Sequence, residues 1–310
     1  MPTAPTVLCM SATLFDAAGE LDETAMRTHL KRLVDAGVGV YLGSGGAGEG
    51  HSLSTAELAR LYAIGVAECG GRVPTFANPP ESRTAEEMFA KARLAVEAGV
   101  DCVQLYAVDG GHGMRPTEAE QERYYRRLLD EIDHPVAISV HPYQDYLTPV
   151  PLLARLARDY AQLVAINVMV RPYNYFVELK DTLRSGIDYY CTGYDLVQGL
   201  SLGAVGCLSA EPNLAPITCR AVIDRAVAND LAGAGAAQAD LIRLGNVVSR
   251  WAPSTARWVK MGLKVLGLGN GVLRPPYLLP DASQQAVMAK AFARLNLPDW
   301  VGWTPPEADG

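Results

Sequence analysis

The sequence predicts an α/β fold, namely a (β/α)8 TIM barrel with a C-terminal three-helix extension. Short apolar runs rich in β-branched and aromatic residues alternate with amphipathic segments whose apolar residues recur at helical spacing. Eight such runs precede residue 231, and most are followed by a helical segment. This alternation is the order of elements in a (β/α)8 barrel.

The eight predicted strands are short and strongly apolar. They are PTVLCMSATLF, GVYLGSG, VPTFANP, CVQLYAV, VAISVHP, LVAINVM, YYCTGYD and AVGCLSA. The helical segments between them include LDETAMRTHLKRLVDAG, STAELARLYAIGVAECG, TAEEMFAKARLAVEAG and TEAEQERYYRRLLDEI. Several begin on Ser or Thr with Glu or Gln three residues later, as at Ser54 and Glu57, which is typical of a capping box.

The barrel is predicted to cover residues 1–231. Residues 232–297 contain three more helical segments, AGAAQADLIRLGNVVSRW, TARWVKMGLKVLG and DASQQAVMAKAFARL, whose apolar faces need a partner, so we place them against the barrel. Residues 298–310 are predicted to form a surface tail. The alternative fold is an open doubly wound sheet, which the count of strands and the lack of a strong glycine-rich dinucleotide fingerprint disfavour.

The composition argues against several classes of function. The chain has 310 residues and a formal charge of −7, with no run of Lys or Arg, which is a poor match for nucleic acid or an anionic membrane. Its six cysteines are scattered without CxxC spacing, which favours buried, reduced thiols. We see no signal peptide and no apolar run approaching the ~20 residues of a membrane span. We therefore expect a cytoplasmic protein that binds a small-molecule substrate, and neither nucleic acid nor membrane.

The loop GSGGAGEGHSLS follows the second strand and leads into the second helix. In such a barrel the active site lies at the C-terminal ends of the strands. Backbone NH groups of Gly45, Gly46, Ala47 and Gly48 would suit an anion such as a substrate carboxylate. A tight turn between strand and helix needs glycines as well, and the GK[ST] of a P-loop is absent. Glu49, in the same loop, either contacts substrate or holds the loop together.

Polar residues at the ends of later strands are further candidates for substrate binding. Arg171 lies just past Asn167 and could either clamp a carboxylate or pair with a surface acid. Tyr194 and Asp195 follow the seventh strand, and Ser209 ends the eighth. We predict that these side chains face the same space.

The five histidines are unevenly distributed along the chain. His51, His112 and His141 fall in loops at the predicted catalytic end, where imidazoles serve as acid/base groups or metal ligands. No HxH or HxxxH spacing supports a metal. His29, on the first helix, and His134, before the fifth strand, are predicted to be surface residues.

His141 is the strongest candidate for proton transfer. It stands at the end of the fifth strand, close to Ser139, and Tyr143 follows it. A histidine pKa near 6.5 suits proton transfer at neutral pH. The alternative is a histidine that only caps the strand end.

Several stretches resemble the dihydrodipicolinate synthase / N-acetylneuraminate lyase family. ATLFDAAGELDETAMRTHLKRLVDAGVGVYLGSGGAGEGHSLSTAEL is similar to its T-P-F, D-x-x-G and GTTGE segments followed by L-[ST]-x-x-E. GYDLVQGLSLGAVGCLSAEPNLAP and WVKMGLKVLGLGNGVLRPPYLLP are similar to its G-x-D … N-x-x-P and V-K … R-x-P-x-x-P segments. The resemblance covers nearly the whole chain. It implies a TIM barrel, usually tetrameric, that acts on pyruvate or 2-oxo acids through a lysine Schiff base and a tyrosine proton relay.

The residues that the resemblance would make catalytic differ in this chain. Asn167 in A-I-N stands where the family has the lysine of G-I-K, and Ser139 in SVHP stands at the tyrosine of Y-N-x-P. Gly46 and Ala47 replace the two hydroxyl residues of GTTGE. Of two adjacent aromatic residues after the fourth strand, the first is Tyr106 and the second is an alanine.

No lysine is predicted to take the place of the missing one. All six lysines fall in predicted helices, none near a strand's C-terminal end: Lys31, Lys91, Lys180, Lys260, Lys264 and Lys290. Imine formation needs a desolvated amine of lowered pKa inside the pocket. An asparagine amide cannot form an imine, although it can orient a carbonyl by hydrogen bonds.

These observations leave three hypotheses open. The first is a lyase or aldolase-type enzyme acting on a small carbonyl or 2-oxo-carboxylate substrate by acid–base catalysis, through C–C bond cleavage or formation, dehydration or isomerisation. In it Asn167, Ser139 and loop NH groups stabilise an enolate-like charge, and His141 or a tyrosine such as Tyr106 or Tyr143 moves the proton.

The second hypothesis is a non-catalytic ligand-binding or regulatory homologue. The third is a metal-dependent lyase that uses His51, His112 and His141. We expect no cofactor under the first hypothesis. A homo-oligomer, either dimer or tetramer, is expected from the resemblance.

Overall fold

The computed structural model describes residues 5–141, 145–171, 173–251 and 254–305. Its eight parallel strands close into a barrel in chain order, with β8 pairing back onto β1. They are β1 Thr6–Met10, β2 Gly39–Leu42, β3 Thr75–Ala77, β4 Cys102–Tyr106, β5 Val136–Val140, β6 Leu163–Val168, β7 Asp188–Thr192 and β8 Gly206–Ser209. The predicted (β/α)8 TIM barrel is confirmed.

Eight helices follow the eight strands around the barrel. They are α1 Glu23–Asp35, α2 Thr55–Cys69, α3 Ala85–Ala98, α4 Glu118–Glu131, α5 Val150–Asp159, α6 Asn174–Thr182, α7 Leu196–Ser201 and α8 Pro216–Val227. The capping box at the start of α2 is present, because Ser54 Oγ accepts from the backbone N of Glu57 at 3.3 Å and Glu57 Oε2 accepts from that of Ser54 at 2.9 Å.

The interior of the barrel is filled by one closely packed set of side chains. The rings of Tyr41 and Phe76 meet edge to face, with 5.1 Å between their centroids. Every strand contributes one buried member: Leu8, Tyr41, Phe76, Cys102, Ala137, Ala165, Tyr190 and Leu208. An interior filled by side chains from all the strands is the normal core of a TIM barrel. Side chains two residues further along each strand point to the same side of the sheet, and they therefore lie at the C-terminal mouth of the barrel.

Three helices form the predicted C-terminal extension. They are α9 Leu231–Val248, α10 Thr255–Val265 and α11 Ala282–Leu295. Arg274, between α10 and α11, ties this extension to the barrel, since its guanidinium donates to Glu57 at the start of α2 at 2.9 Å. The boundaries at 231 and 297 stay predictions.

The predicted surface tail of residues 298–310 is wrong for its first part. Trp300 is only 7% exposed and stacks on Phe292 of α11. The carboxylate of Asp299 accepts hydrogen bonds from the backbone of Ile217 at 2.6 Å and of Thr218 at 2.9 Å, at the start of α8. The segment is held because it satisfies otherwise unpaired NH groups of a helix end.

No described helix is both long and apolar enough to cross a membrane. The six cysteines are free and buried, as predicted.

Candidate active site

Asn167, near the end of β6, lies at the centre of a buried amide network. Its Nδ2 donates to the Tyr41 hydroxyl at 3.0 Å and to Gln104 Oε1. Gln104 Nε2 in turn donates to Asn78 Oδ1 at 2.7 Å. All three amide side chains are fully buried. Both N–H bonds of Asn167 are thus engaged, so the prediction that it donates to an enolate-like charge is not supported.

Three polar atoms of this network and its neighbourhood have no hydrogen-bond partner among the described residues. They are Asn167 Oδ1, Asn78 Nδ2 and Tyr190 Oη. Burial raises the pKa of Tyr190, so its hydroxyl stays protonated and can donate. Buried polar groups are normally satisfied. These two donors and one acceptor are therefore buried and unsatisfied within the described residues.

Strand register brings four of the polar side chains side by side. Tyr106 of β4 pairs with Ser139 of β5, Ser139 with Asn167 of β6, and Asn167 with Tyr190 of β7. Paired residues of parallel strands point to the same side of the sheet. The predicted catalytic residues Ser139, Tyr106 and Asn167 are therefore brought together at one level of the barrel.

His141 follows β5 and belongs to a cluster with two other titratable groups. Its Nε2 lies 3.8 Å from Glu81 Oε1, and His51 Nε2 lies 3.1 Å from Glu81 Oε2. The His141 ring also meets the Tyr106 ring edge to face, at 5.0 Å between centroids. Two of the three clustered histidines predicted from sequence are thus joined by one carboxylate.

Burial and the neighbouring charges together set the protonation of this cluster. Burial lowers the pKa of His141, and the negative charge of Glu81 opposes that shift. Burial also favours the neutral form of Glu81, but the hydrogen bond from His51 and the charges of both histidines outweigh it and hold the Glu81 pKa below its usual value. A neutral imidazole beside a carboxylate is suited to accept a proton.

Gly45, in the loop after β2, leaves room for a contact between two other side chains. A Cβ on Gly45 would lie 2.6 Å from Glu81 Oε2 and 2.7 Å from His51 Nε2. The Gly48 N–H already donates to Ser44 Oγ at 3.0 Å. The loop thus positions the His51–Glu81 contact, and Gly48 is less suited to anion binding than predicted. Gly46 and Ala47 lie between these positions, and Ala47 is fully buried.

Glu49 forms a buried ion pair with Lys260 of α10, whose side chain is only 1% exposed. The Lys260 amine also donates to the Val272 carbonyl at 2.8 Å and lies 4.0 Å above the Phe15 ring. Burial lowers the pKa of Lys260 to about 8, although Glu49 opposes the shift. Glu49 therefore holds the loop, which is one of its two predicted roles, and a contact with substrate stays a prediction.

The sequence-based statement that no lysine approaches a strand's C-terminal end is also wrong. Lys260 reaches the loop after β2 through Glu49. Lys91 of α3 reaches the loop after β3, where it donates to Ser82 Oγ at 2.9 Å. Helical lysines reach these loops because their long side chains extend past the helix surface.

The predicted substrate-binding residues Arg171, Tyr194, Asp195 and Ser209 are already paired with neighbouring side chains. Arg171 forms an ion pair with Asp195 and donates to Thr192 Oγ1 at 3.2 Å. Tyr194 Oη donates to Glu211 Oε1 and Ser209 Oγ donates to Glu211 Oε2, and this carboxylate is buried. Of the two interpretations of Arg171, pairing with an acid is the one observed.

Some functional candidates were missed or cannot be located. Tyr143 lies outside the described residues. Glu81, Gln104 and Tyr41 were not singled out, although Gln104 is the polar residue within the apolar run CVQLY and Glu81 follows Asn78 in the loop after β3. Within the described part of the chain, no three His, Cys, Asp or Glu side chains are grouped to hold a metal ion, so the metal hypothesis gains no support.

Comparison with protein-family models identifies the family of this chain. Residues 5–294 match the dihydrodipicolinate synthetase family. The chain belongs to this family. Its members are lyase- and aldolase-type enzymes.

Relatives of known name agree with this assignment. The 4-hydroxy-tetrahydrodipicolinate synthase of Hyphomonas neptunium is 28% identical over 292 residues, covering 90% of this chain and 94% of the relative. That of Bacillus subtilis is 26% identical over 287 residues, covering 91% and 96%.

Solved structures of the family share the fold. Dihydrodipicolinate synthase DapA-2 of Bacillus anthracis superposes with a TM-score of 0.86 at 22% identity, covering 94% of this chain and 99% of that one. A prophage protein of the family from E. coli K12, solved in complex with pyruvate, gives a TM-score of 0.87 at 20% identity, covering 96% and 100%.

Proposed function

We propose that this family member is a lyase or aldolase that acts on a small carbonyl or 2-oxo-carboxylate substrate by acid–base catalysis, without a lysine imine. The observation that carries the proposal is the buried amide network around Asn167. An amide with both N–H bonds engaged to Tyr41 and Gln104 stands near the end of β6, and it has no nucleophilic electron pair to offer.

The roles of the residues follow from their contacts. His141 exchanges a proton with the carbon beside the substrate carbonyl, and it accepts that proton in the neutral form that burial favours. Asn78 Nδ2 and Tyr190 Oη, which lack partners among the described residues, donate to the developing enolate oxygen, and Ser139 lies one strand from Asn167 in register. Asn167 Oδ1 accepts a hydrogen bond from a substrate hydroxyl.

Borohydride trapping tests whether the imine route is closed. The protein is incubated with pyruvate and related 2-oxo acids, reduced with borohydride, and measured by intact-mass spectrometry. We expect no covalent adduct. A parallel panel of 2-oxo acids, alone and with aldehydes, is followed by NMR, and we expect turnover in at least one case, with loss of turnover in His141→Ala.

Two controls make a negative trapping result informative. A family enzyme that carries the strand-end lysine must trap under the same conditions, and the Asn167→Lys variant shows whether an amine at this position can reach pyruvate. An adduct on the unmodified chain would contradict the proposal. Peptide mapping would then identify the amine, with Lys260 the first to examine because its pKa is lowered to about 8.

A non-catalytic homologue is the second candidate, and the same unpaired atoms at the mouth support it. A ligand-dependent rise in melting temperature without turnover across the panel would favour it over the enzyme. The cytoplasmic location and the homo-oligomeric state, dimer or tetramer, stay predictions.

A further inference from the structure

We propose that His51, Glu81 and His141 form a proton relay, which connects solvent with the interior of the barrel at the C-terminal ends of its strands. This inference rests on the proposed function, in which His141 exchanges a proton with substrate. The three residues come from three separate loops, after β2, β3 and β5, and converge on one carboxylate.

Exposure falls in steps along the three side chains. The His51 side chain is 56% exposed, that of Glu81 19% and that of His141 4%. The buried histidine therefore has a polar path to water through the two other groups. Each histidine faces a different oxygen of Glu81, His51 at Oε2 and His141 at Oε1. The Glu81 carboxylate thus lies between the two histidines.

The surrounding chain supports this arrangement. Gly45 leaves the space in which His51 meets Glu81, because any Cβ there would collide with both groups. The backbone carbonyl of Glu81 lies 3.5 Å from the amine of Lys91, which helps to fix the loop. The charge of Glu81 also acts to raise the pKa values of Lys91 and Tyr124, two further titratable groups beside it. The Tyr106 ring packs on that of His141.

The transfer moves one proton and no electrons. Protonated His51 gives its Nε2 proton to Glu81 Oε2, and the resulting carboxylic acid turns to present its O–H to His141 Nε2. His51 takes a new proton from water, and Glu81 returns to the carboxylate that its two histidine neighbours favour. The 3.8 Å between Glu81 and His141 must shorten during the transfer, as often happens when substrate binds.

Chemical rescue tests the relay. His51 is exposed, so His51→Gln leaves the fold intact, and we expect kcat to fall about 10-fold or more in buffer of low concentration while KM stays unchanged. Added imidazole should restore the rate by delivering protons directly to the cluster. The matched control is His112→Gln, which replaces another exposed histidine of a loop at the same end. Wild-type turnover by His51→Gln in every buffer, with His141→Ala inactive, would overturn the relay and leave the proposed function standing.

Histidine NMR provides a test that needs no substrate. Side-chain ¹⁵N spectra are recorded against pH for the wild type and for Glu81→Gln. Because the Glu81 carboxylate favours the protonated form of the His141 ring, we expect its removal to move the titration of His141 to lower pH. An unchanged titration of His141 would overturn the relay. Absence of any turnover by the wild type would instead count against the proposed function.

Discussion

Replacing Lys260 by methionine is expected to lower the free energy of unfolding by about 3–5 kcal/mol. The side chains of Lys260 and Glu49 are 1% and 8% exposed, so the substitution leaves a carboxylate buried without its counter-ion. It also removes the hydrogen bond to the Val272 carbonyl and the contact with the Phe15 ring. Methionine keeps most of the side-chain volume, so the loss reports on charge. Urea unfolding followed by circular dichroism measures it.

Two further variants separate burial from charge. Lys31→Met breaks an exposed pair with Asp35, whose side chains are 63% and 58% exposed, and should change stability by less than ~1 kcal/mol. The double variant Glu49→Gln/Lys260→Met removes both charges and should recover at least half of the loss, because no unpaired ion remains. Equal destabilisation by Lys260→Met and Lys31→Met would show that the buried ion pair contributes no more to the free energy of unfolding than the exposed one.

The fold could be predicted because its signals are local. The alternation of apolar runs with amphipathic segments, and pairs such as Ser54 and Glu57 at a helix start, need no knowledge of distant contacts. Trp300 and Lys260 were misplaced for the opposite reason. Trp300 donates to the Leu214 carbonyl, 86 residues earlier in the chain, and Lys260 pairs with Glu49, more than 200 residues earlier. Composition and periodicity do not encode such contacts.

Only those residues of the candidate site that stand at or near strand ends could be predicted from the sequence. Asn167, Ser139, Tyr106 and His141 were found because they stand at or near the C-terminal ends of strands, and register aligns the first three. Glu81 was missed because a carboxylate in a loop gives no sign of which groups it meets.

His29, on a helix, was also misplaced because its distant contacts could not be predicted. It was predicted to be a surface residue of α1, yet it is only 3% exposed. Its Nε2 lies 3.0 Å from Asn213 Oδ1, which also accepts from the backbone N of Ala12 at 2.9 Å. The shared acceptor makes Nε2 the protonated nitrogen of a neutral ring. The imidazole thus helps to join α1 to the segments after β1 and β8.

Acid is expected to destabilise the protein through this buried ring. Burial, with the charge of Arg32, lowers the pKa of His29 from 6.5 to about 3. The unfolded chain therefore binds a proton at a pH where the folded chain does not, so this contribution is complete above pH ~6.5 and is lost as the pH falls towards ~3. Over that range the loss is about 3–5 kcal/mol. Urea unfolding at a series of pH values measures it.

His29→Gln isolates the contribution of this residue. Its amide can still donate to Asn213 but does not titrate, so the variant should lose less stability between pH 6.5 and pH 3 than the wild type. His141, whose pKa is also lowered by burial, contributes in the same direction and remains in both proteins. His134→Gln, which alters the half-buried histidine bonded to the Val100 carbonyl at 2.8 Å, is the matched control. Parallel pH profiles for His29→Gln and the wild type would mean that His29 is protonated in the folded state, and its burial beside Arg32 would then require a different explanation.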